Sequence, residues 1–264
     1  MNYPELASRF AEYVGGYRSP DGSLSDAFLC KYQHTFDVVR FAGEISAREA
    51  FPVGDQLLGR VCALFHDVAR FEQLKRFHTF SDKLSGFDHG YEATRILLER
   101  NFLADLTPAE RICVLAAVEF HNKLAIPEGI CGEYALKFAK LTRDADKLAI
   151  LDLVCRYLKG EIKVEDDTLI ALSRSEGTEV SQEILEAVLA GRACSYGMIR
   201  NQNDFLTCLF AWPQDLNYAA SASLALSGNL YGTLRTFLPE DPVFTRILNL
   251  TKKRLKCRCS KSKI

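Results

Sequence analysis

Apolar residues recur along most of this chain at steps of three and four, the spacing that puts them on one face of a helix. The first such run predicts a helix over Pro4 to Val14, stopped by Gly15-Gly16, with a Gly-, Ser-, Asp- and Pro-rich loop from Tyr17 to Ser25. A long helix follows over Asp26 to Ala50, with Cys30, His34, Val38, Phe41 and Ile45 on its apolar stripe. Pro52 opens another, reaching Ala69, and its segment Val61-Cys62-Ala63-Leu64-Phe65-His66-Asp67-Val68-Ala69 is apolar almost all round. Such a helix belongs in the interior. The periodicity then fails. Arg70 to Asp88 reads as an irregular segment, long enough to suggest a functional loop or lid.

Asp88 is placed to cap a helix to Arg100, whose stripe is His89, Ala93, Ile96 and Leu97. Thr107-Pro108-Ala109-Glu110 carries a capping box with Pro at the first position, and predicts a helix to His121 with the stripe Val114, Ala117, Val118, His121. A further helix spans Glu133 to Leu158. The polar stretch from Gly160 to Gly177 reads as a connector. Beyond it, Ser181 caps a helix to Ala190, an apolar stretch from Phe205 to Ser227 is broken at Trp212-Pro213, and Asp241-Pro242 starts a last helix. Strand-like alternation is absent from the first two thirds. The expected fold is all-α, with a helical core over residues 1–160 and a helical extension over 161–264 packed on it.

Composition narrows the function classes. The chain of 264 residues is 48% hydrophobic and 25% charged, with a net charge of −1, so it lacks the basic excess of a general nucleic-acid binder. The positive charge gathers at the end, in Lys252, Lys253, Arg254, Lys256, Arg258, Lys261 and Lys263, which reads as a solvated tail holding the close pair Cys257 and Cys259. The first residues lack the apolar stretch of a signal peptide, and no run approaches the roughly 18 apolar residues of a membrane span. The nine cysteines are scattered and odd in number. A cytoplasmic setting is expected, with no nucleic-acid or membrane partner specified and no oligomeric state legible.

The chemistry sits in the histidines. There are five, His34, His66, His78, His89 and His121, and four of them fall on or within the apolar faces of four separate predicted helices. A core histidine bonded to a backbone carbonyl is the simpler account of any one. Four together, beside the carboxylate of Asp67, point to a metal site, because a buried carboxylate needs a partner and inward side chains on facing helices are how bundles hold ions. Imidazole and carboxylate donors without thiolate suit Mn, Fe, Ni or Zn, with Mg possible where fewer histidines bind. Another carboxylate is expected from Asp144 or Asp146, which helical phase alone does not separate.

The order His34, then His66-Asp67, then Asp146 within Ala145-Asp146-Lys147-Leu148 resembles the His…His-Asp…Asp pattern of the HD-domain superfamily of metal-dependent phosphohydrolases. The text ALFHDVARFEQ and RDADKLAIL is similar to bacterial HD-domain proteins. The resemblance covers residues 26 to 160 well and the last hundred residues loosely. It selects Asp146 over Asp144 as the ligand. Members with two ions carry two further histidines between the His-Asp pair and the last Asp, and His89 and His121 stand there. The resemblance thus implies His34, His66, Asp67 and Asp146 on one ion, with Asp67 bridging to a second held by His89 and His121; a site with the first ion alone is the alternative.

It further implies a phosphohydrolase that cleaves a phosphoester or phosphoanhydride of a small, nucleotide-like substrate by attack of a metal-bound hydroxide. Asp67 is then the catalytic carboxylate. Arg70, Lys123, Lys147 and His78 are candidates to contact substrate phosphate. Two alternatives remain open: a di-iron oxygenase, as in some histidine-rich relatives, and a non-catalytic regulatory or binding module.

Overall fold

Helix starts follow local rules. Asp88 Oδ1 accepts from the Tyr91 amide, and Thr107 and Glu110 form the reciprocal capping box the sequence predicts. The computed structural model describes residues 2–129, 132–163 and 177–260. It is all-α, with no strand among the described residues. In order, the helices are α1 (Tyr3–Gly15), α2 (Asp26–Arg48), α3 (Val53–Phe65), α4 (Ala69–Phe77), α5 (Asp82–Ser85), α6 (His89–Glu99), α7 (Pro108–Phe120), α8 (Glu133–Leu158), α9 (Gln182–Ala190), α10 (Gln202–Leu209), α11 (Ala219–Ser227), α12 (Leu230–Arg235) and α13 (Pro242–Ser260). No described helix is long and apolar enough to cross a membrane.

The chain divides into two compact units, Met1–Ala149 and Ile150–Ile264, with the boundary inside α8. In the first, α2 packs along α3, α3 meets α7, and α6 lies against α7 and α4. The core is made of fully buried side chains from several helices, among them Phe10, Val38, Ile45, Leu58, Phe65, Phe71, Leu97, Val114 and Leu141. Burying a side chain of this size contributes about 1.5–3 kcal/mol.

Two glycines set close approaches. A Cβ at Gly59 in α3 would lie 2.5 Å from Leu141 Cδ2 of α8. A Cβ at Gly90 in α6 would lie 2.7 Å from the Glu119 carbonyl of α7. The absence of that atom lets the start of α6 come up against the end of α7.

Three readings of the sequence change here. The helix expected to run to Ala69 ends at Phe65, so His66, Asp67 and Val68 form the joint between α3 and α4. The segment expected to be irregular is mostly ordered as α4 and α5. Phe71 and Gln73 of α4 are buried, and His78 takes a left-handed conformation (φ 53°) that closes the helix. Its charged residues (Glu72, Lys75, Arg76) mask the apolar Phe71, Leu74 and Phe77, which recur every three residues. The basic tail is also not simply solvated. Residues up to Ser260 continue α13, whose Ile247, Thr251 and Leu255 are buried on one face. Arg254 donates to the carbonyls of Val188 and Leu189, and Arg258 to that of Gln214.

In the second unit α11 and α12 pack on α13, and α9 on α10. Ser181 stands at the start of α9 as expected, but its side chain makes no cap bond there. Its hydroxyl donates to Asp204 at the start of α10 instead, 2.8 Å away. The connector predicted between Gly160 and Gly177 falls largely on residues 164–176, outside the described residues.

Candidate metal centre

The helix ends bring the chemistry together. His66 and His121 each occupy the first position after a helix, α3 and α7. The last carbonyls of a helix lack intrahelical partners. Each ring uses one of them: His66 Nδ1 donates to Ala63 O at 2.7 Å, and His121 Nδ1 to Val118 O at 2.6 Å. A proton on Nδ1 leaves the Nε2 lone pair free to bind a cation. Buried Arg143 of α8 braces the end of α7 by donating to the Phe120 carbonyl at 3.0 Å and to the Lys123 carbonyl.

His34 comes from the middle of α2, where its Nε2 lies 3.0 Å from Asp146 Oδ1 of α8. His89 is the first residue of α6, with Nε2 3.0 Å from His121 Nε2. All four rings and the Asp67 side chain are buried, and Asp146 is partly so. The His-rich face of each predicted helix thus does converge on one place, although only His34 lies inside a helix rather than at its end.

Asp67 sits at the centre. Its Oδ2 lies 3.5 Å from His66 Nε2 and 4.0 Å from His34 Nε2. Its Oδ1 lies 3.5 Å from His89 Nε2 and 3.4 Å from His121 Nε2. Asp146 Oδ1 is 3.7 Å from His66 Nε2. Among the described residues three groups have ligand atoms within 4.8 Å of one another: His34, His66 and Asp67; His66, His121 and Asp146; and Asp67, His89 and His121. Asp144 is buried but belongs to none of these groups.

The residues fit a cation. His66 Nε2, the ring nitrogen that faces Asp67, is buried with no hydrogen-bond partner. An orphaned buried acceptor is costly unless something binds it. Burial holds His66 down to about 4, against the pull of Asp67 and Asp146, and holds His89 down to about 3, with Arg70 adding to the effect. Both rings are therefore neutral near pH 7, the form that ligates metals. Burial opposes the charge on Asp67, but Lys31 first, and then His66, His121 and Arg70, outweigh it and hold the carboxyl well below the usual range. Asp146 is lowered likewise, with its hydrogen bond to His34 the largest cause acting against burial. The buried cluster can hold a metal ion.

The residues expected to meet phosphate are placed as follows. Arg70 is half-buried, and its Nη1 donates to Asp82 Oδ1 (2.8 Å), Gln73 Oε1 (2.6 Å) and Phe80 O (2.6 Å), while its Nε lies 3.5 Å from Asp67 Oδ1. Lys123 is ion-paired with Asp88. Lys147 is partly exposed beside Asp146 in α8. His78 is exposed at the end of α4 and belongs to none of the three groups.

Three residues that the sequence did not single out touch the cluster: Lys31, Asp82 and Asn122, whose Nδ2 lies 3.1 Å from His89 Nδ1. Lys31 of α2 places Nζ 2.9 Å from Asp67 Oδ2, with the Phe80 ring 5.3 Å away. Asp82 of α5 accepts from His89 Nδ1 at 2.5 Å. Lys31 precedes His34 by three residues, close to one helical turn, and that spacing was the available signal. Asp82 lay in the stretch without clear periodicity.

A family model for the HD domain matches residues 32–190, more than half of the chain and all six residues of the cluster. The chain belongs to the HD domain family. Comparison with curated proteins and with solved structures finds no match. Membership agrees with the all-α fold and with the His and Asp composition of the cluster, and it places this HD domain protein in a superfamily of metal-dependent phosphohydrolases.

Proposed function

We propose that this HD domain protein hydrolyses a phosphoester or phosphoanhydride of a small, nucleotide-like substrate with two divalent ions. The observation that carries the reading is the division of Asp67: Oδ2 faces His34 and His66, and Oδ1 faces His89 and His121. A carboxylate with each oxygen turned to a separate pair of imidazoles suits a bridge between two ions. On this reading His34, His66, Asp67 and Asp146 hold one ion, and Asp67, His89 and His121 the other.

Bound divalent ions would supply Lewis acidity toward a phosphoryl oxygen and lower the pKa of water. The chain's own part is orientation. Ala63 and Val118 fix the His66 and His121 rings through their carbonyls, so that both Nε2 atoms stay aimed at Asp67. Burial keeps the His66 and His89 imidazoles neutral and the carboxylates in a setting where charge interactions are strong. Lys31 and Arg70 stand within 3.5 Å of Asp67 and offer positive charge next to the place where phosphate would sit.

The test is a panel of phosphomonoesters, phosphodiesters and nucleotides assayed anaerobically, with chelator-treated protein and with the same protein reloaded with Mn, Fe, Ni, Zn or Mg. Phosphate release that disappears on chelation and returns on reloading is the expected outcome. Four nitrogen donors also suit iron, so a protein that turns over only with iron and with oxygen consumed would replace this reading with an oxygenase.

A further inference from the structure

Three of the four clustered histidines owe their orientation to the backbone or to a ligand-set carboxylate, and His89 does not. His66 and His121 follow helices and use spare carbonyls of the preceding turn. His34 faces Asp146. His89 opens α6, and the start of a helix presents amide N–H groups, not carbonyls. Its Nδ1 therefore needs an acceptor from elsewhere, and Asp82 provides it: Oδ2 lies 2.5 Å from His89 Nδ1.

Asp82 is itself held. Its Oδ1 accepts from Arg70 Nη1 at 2.8 Å and from Gln73 Nε2 at 3.0 Å, and its Oδ2 lies 3.3 Å from Asn122 Nδ2. Gln73 is fully buried and also donates to Ser85 Oγ at 3.0 Å. This is more bonding than α5 needs for its own start, which Ser81 already caps through the Leu84 amide. The same Arg70 side chain reaches toward Asp67 Oδ1, 3.5 Å from Nε. One guanidinium thus spans the carboxylate at the cluster's centre and the carboxylate behind His89. Three side chains of the α4–α5 segment, which the sequence suggested as a functional loop or lid, meet behind His89: Arg70, Gln73 and Asp82.

We propose that Asp82 is a positioning residue for the second ion. Braced by Arg70 and Gln73, it holds His89 Nε2 toward Asp67 Oδ1 and His121 Nε2, and its charge makes the imidazole a better donor. The inference rests on the two-ion reading above. Loss of such a partner behind a ligating histidine typically weakens metal binding 10–100-fold. The histidine–carboxylate pair acts on one ion only, which separates this role from a general structural one.

The experiment is calorimetric titration of Mn2+ into the chelator-treated full chain, with ion content checked by elemental analysis, for wild type, Asp82→Asn and Asp82→Ala. Asp82→Asn keeps the volume and one acceptor oxygen while removing the charge, so it guards against a misfolded alanine variant, and circular dichroism reports the fold of each. The expected result is two ions in wild type, with one site loosened 10–100-fold in both variants and the other within about twofold of wild type. Both sites unchanged, or both weakened in parallel, overturns the role given to Asp82 while leaving the two-ion reading intact. A wild-type protein that takes up one ion overturns that reading, and this inference with it.

Discussion

His66 and His121 are built alike at the ends of two different helices, and they face opposite oxygens of one carboxylate. Each follows its helix directly, each donates Nδ1–H to the carbonyl three residues back, and their Nε2 atoms lie 3.5 Å from Asp67 Oδ2 and 3.4 Å from Asp67 Oδ1. On the two-ion reading the two substitutions His66→Gln and His121→Gln should remove different ions. Elemental analysis of each purified variant is expected to show about one ion retained. Loss of both ions in each variant, with the fold intact, would argue for a single shared site.

Acid should destabilise the chelator-treated protein from a higher pH than its carboxylates alone would suggest. His66 is lowered to about 4 and His89 to about 3 by burial, from an ordinary value of 6.5. A histidine whose folded-state pKa is depressed lets the unfolded chain take up a proton first, so stability rises with pH between the two values. It is complete above about 6.5 and is lost as pH falls toward 4, by on the order of 3 kcal/mol for His66 alone. Asp67 and Asp146, also lowered, add losses at still lower pH, with the same sign. Thermal melts from pH 7.5 to 4.5 should show Tm nearly level down to about pH 6.5 and falling steadily from there to pH 4.5. A flat Tm down to pH 5 would contradict the burial argument.

Lys31 and a cation bound at Asp67 Oδ2 would contend for one oxygen. Lys31 Nζ is 2.9 Å from that atom, and its side chain is only 18% exposed. Lys31→Met removes the positive charge from a buried carboxylate, at a cost of about 1–3 kcal/mol given the remaining solvent access. The bound ion should restore the loss. The expected result is a larger rise in Tm on adding Mn2+ for Lys31→Met than for wild type. Equal rises would mean that the lysine and the ion do not share the site.

Gly90 lets α6 approach α7 closely enough to bring His89 to His121. Gly90→Ala would set a Cβ 2.7 Å from the Glu119 carbonyl and from Asn122 Oδ1, and the first of these is backbone that yields little. Overpacking of this kind costs about 1–3 kcal/mol. A fall in Tm together with weaker binding of one ion is expected. Binding unchanged at both sites would show that α6 shifts without moving His89.

The helices were largely legible because their apolar stripes and caps act locally, as Asp88 and Thr107 illustrate. The clustered histidines were legible for the same reason, each being a polar residue on an apolar face. What pattern could not show was where a helix stops inside a buried run. Val61 to Ala69 is apolar apart from His66 and Asp67, yet the chain turns at that pair, and the turn is what frees Asp67 to face both pairs of histidines. Asp82 was hidden for a different reason. Its role depends on Arg70, Gln73 and His89 meeting in space, and a segment rich in charges gives no period from which to read that meeting.

The most direct test of the account is where ions sit around Asp67. Anomalous-difference maps from crystals of the Mn2+-loaded protein should show two peaks about 3.5–4 Å apart, one on each carboxylate oxygen of Asp67. One peak should be shared with His34, His66 and Asp146, and the other with His89 and His121. A single peak at Asp67, or peaks that leave Asp67 unligated, would contradict it.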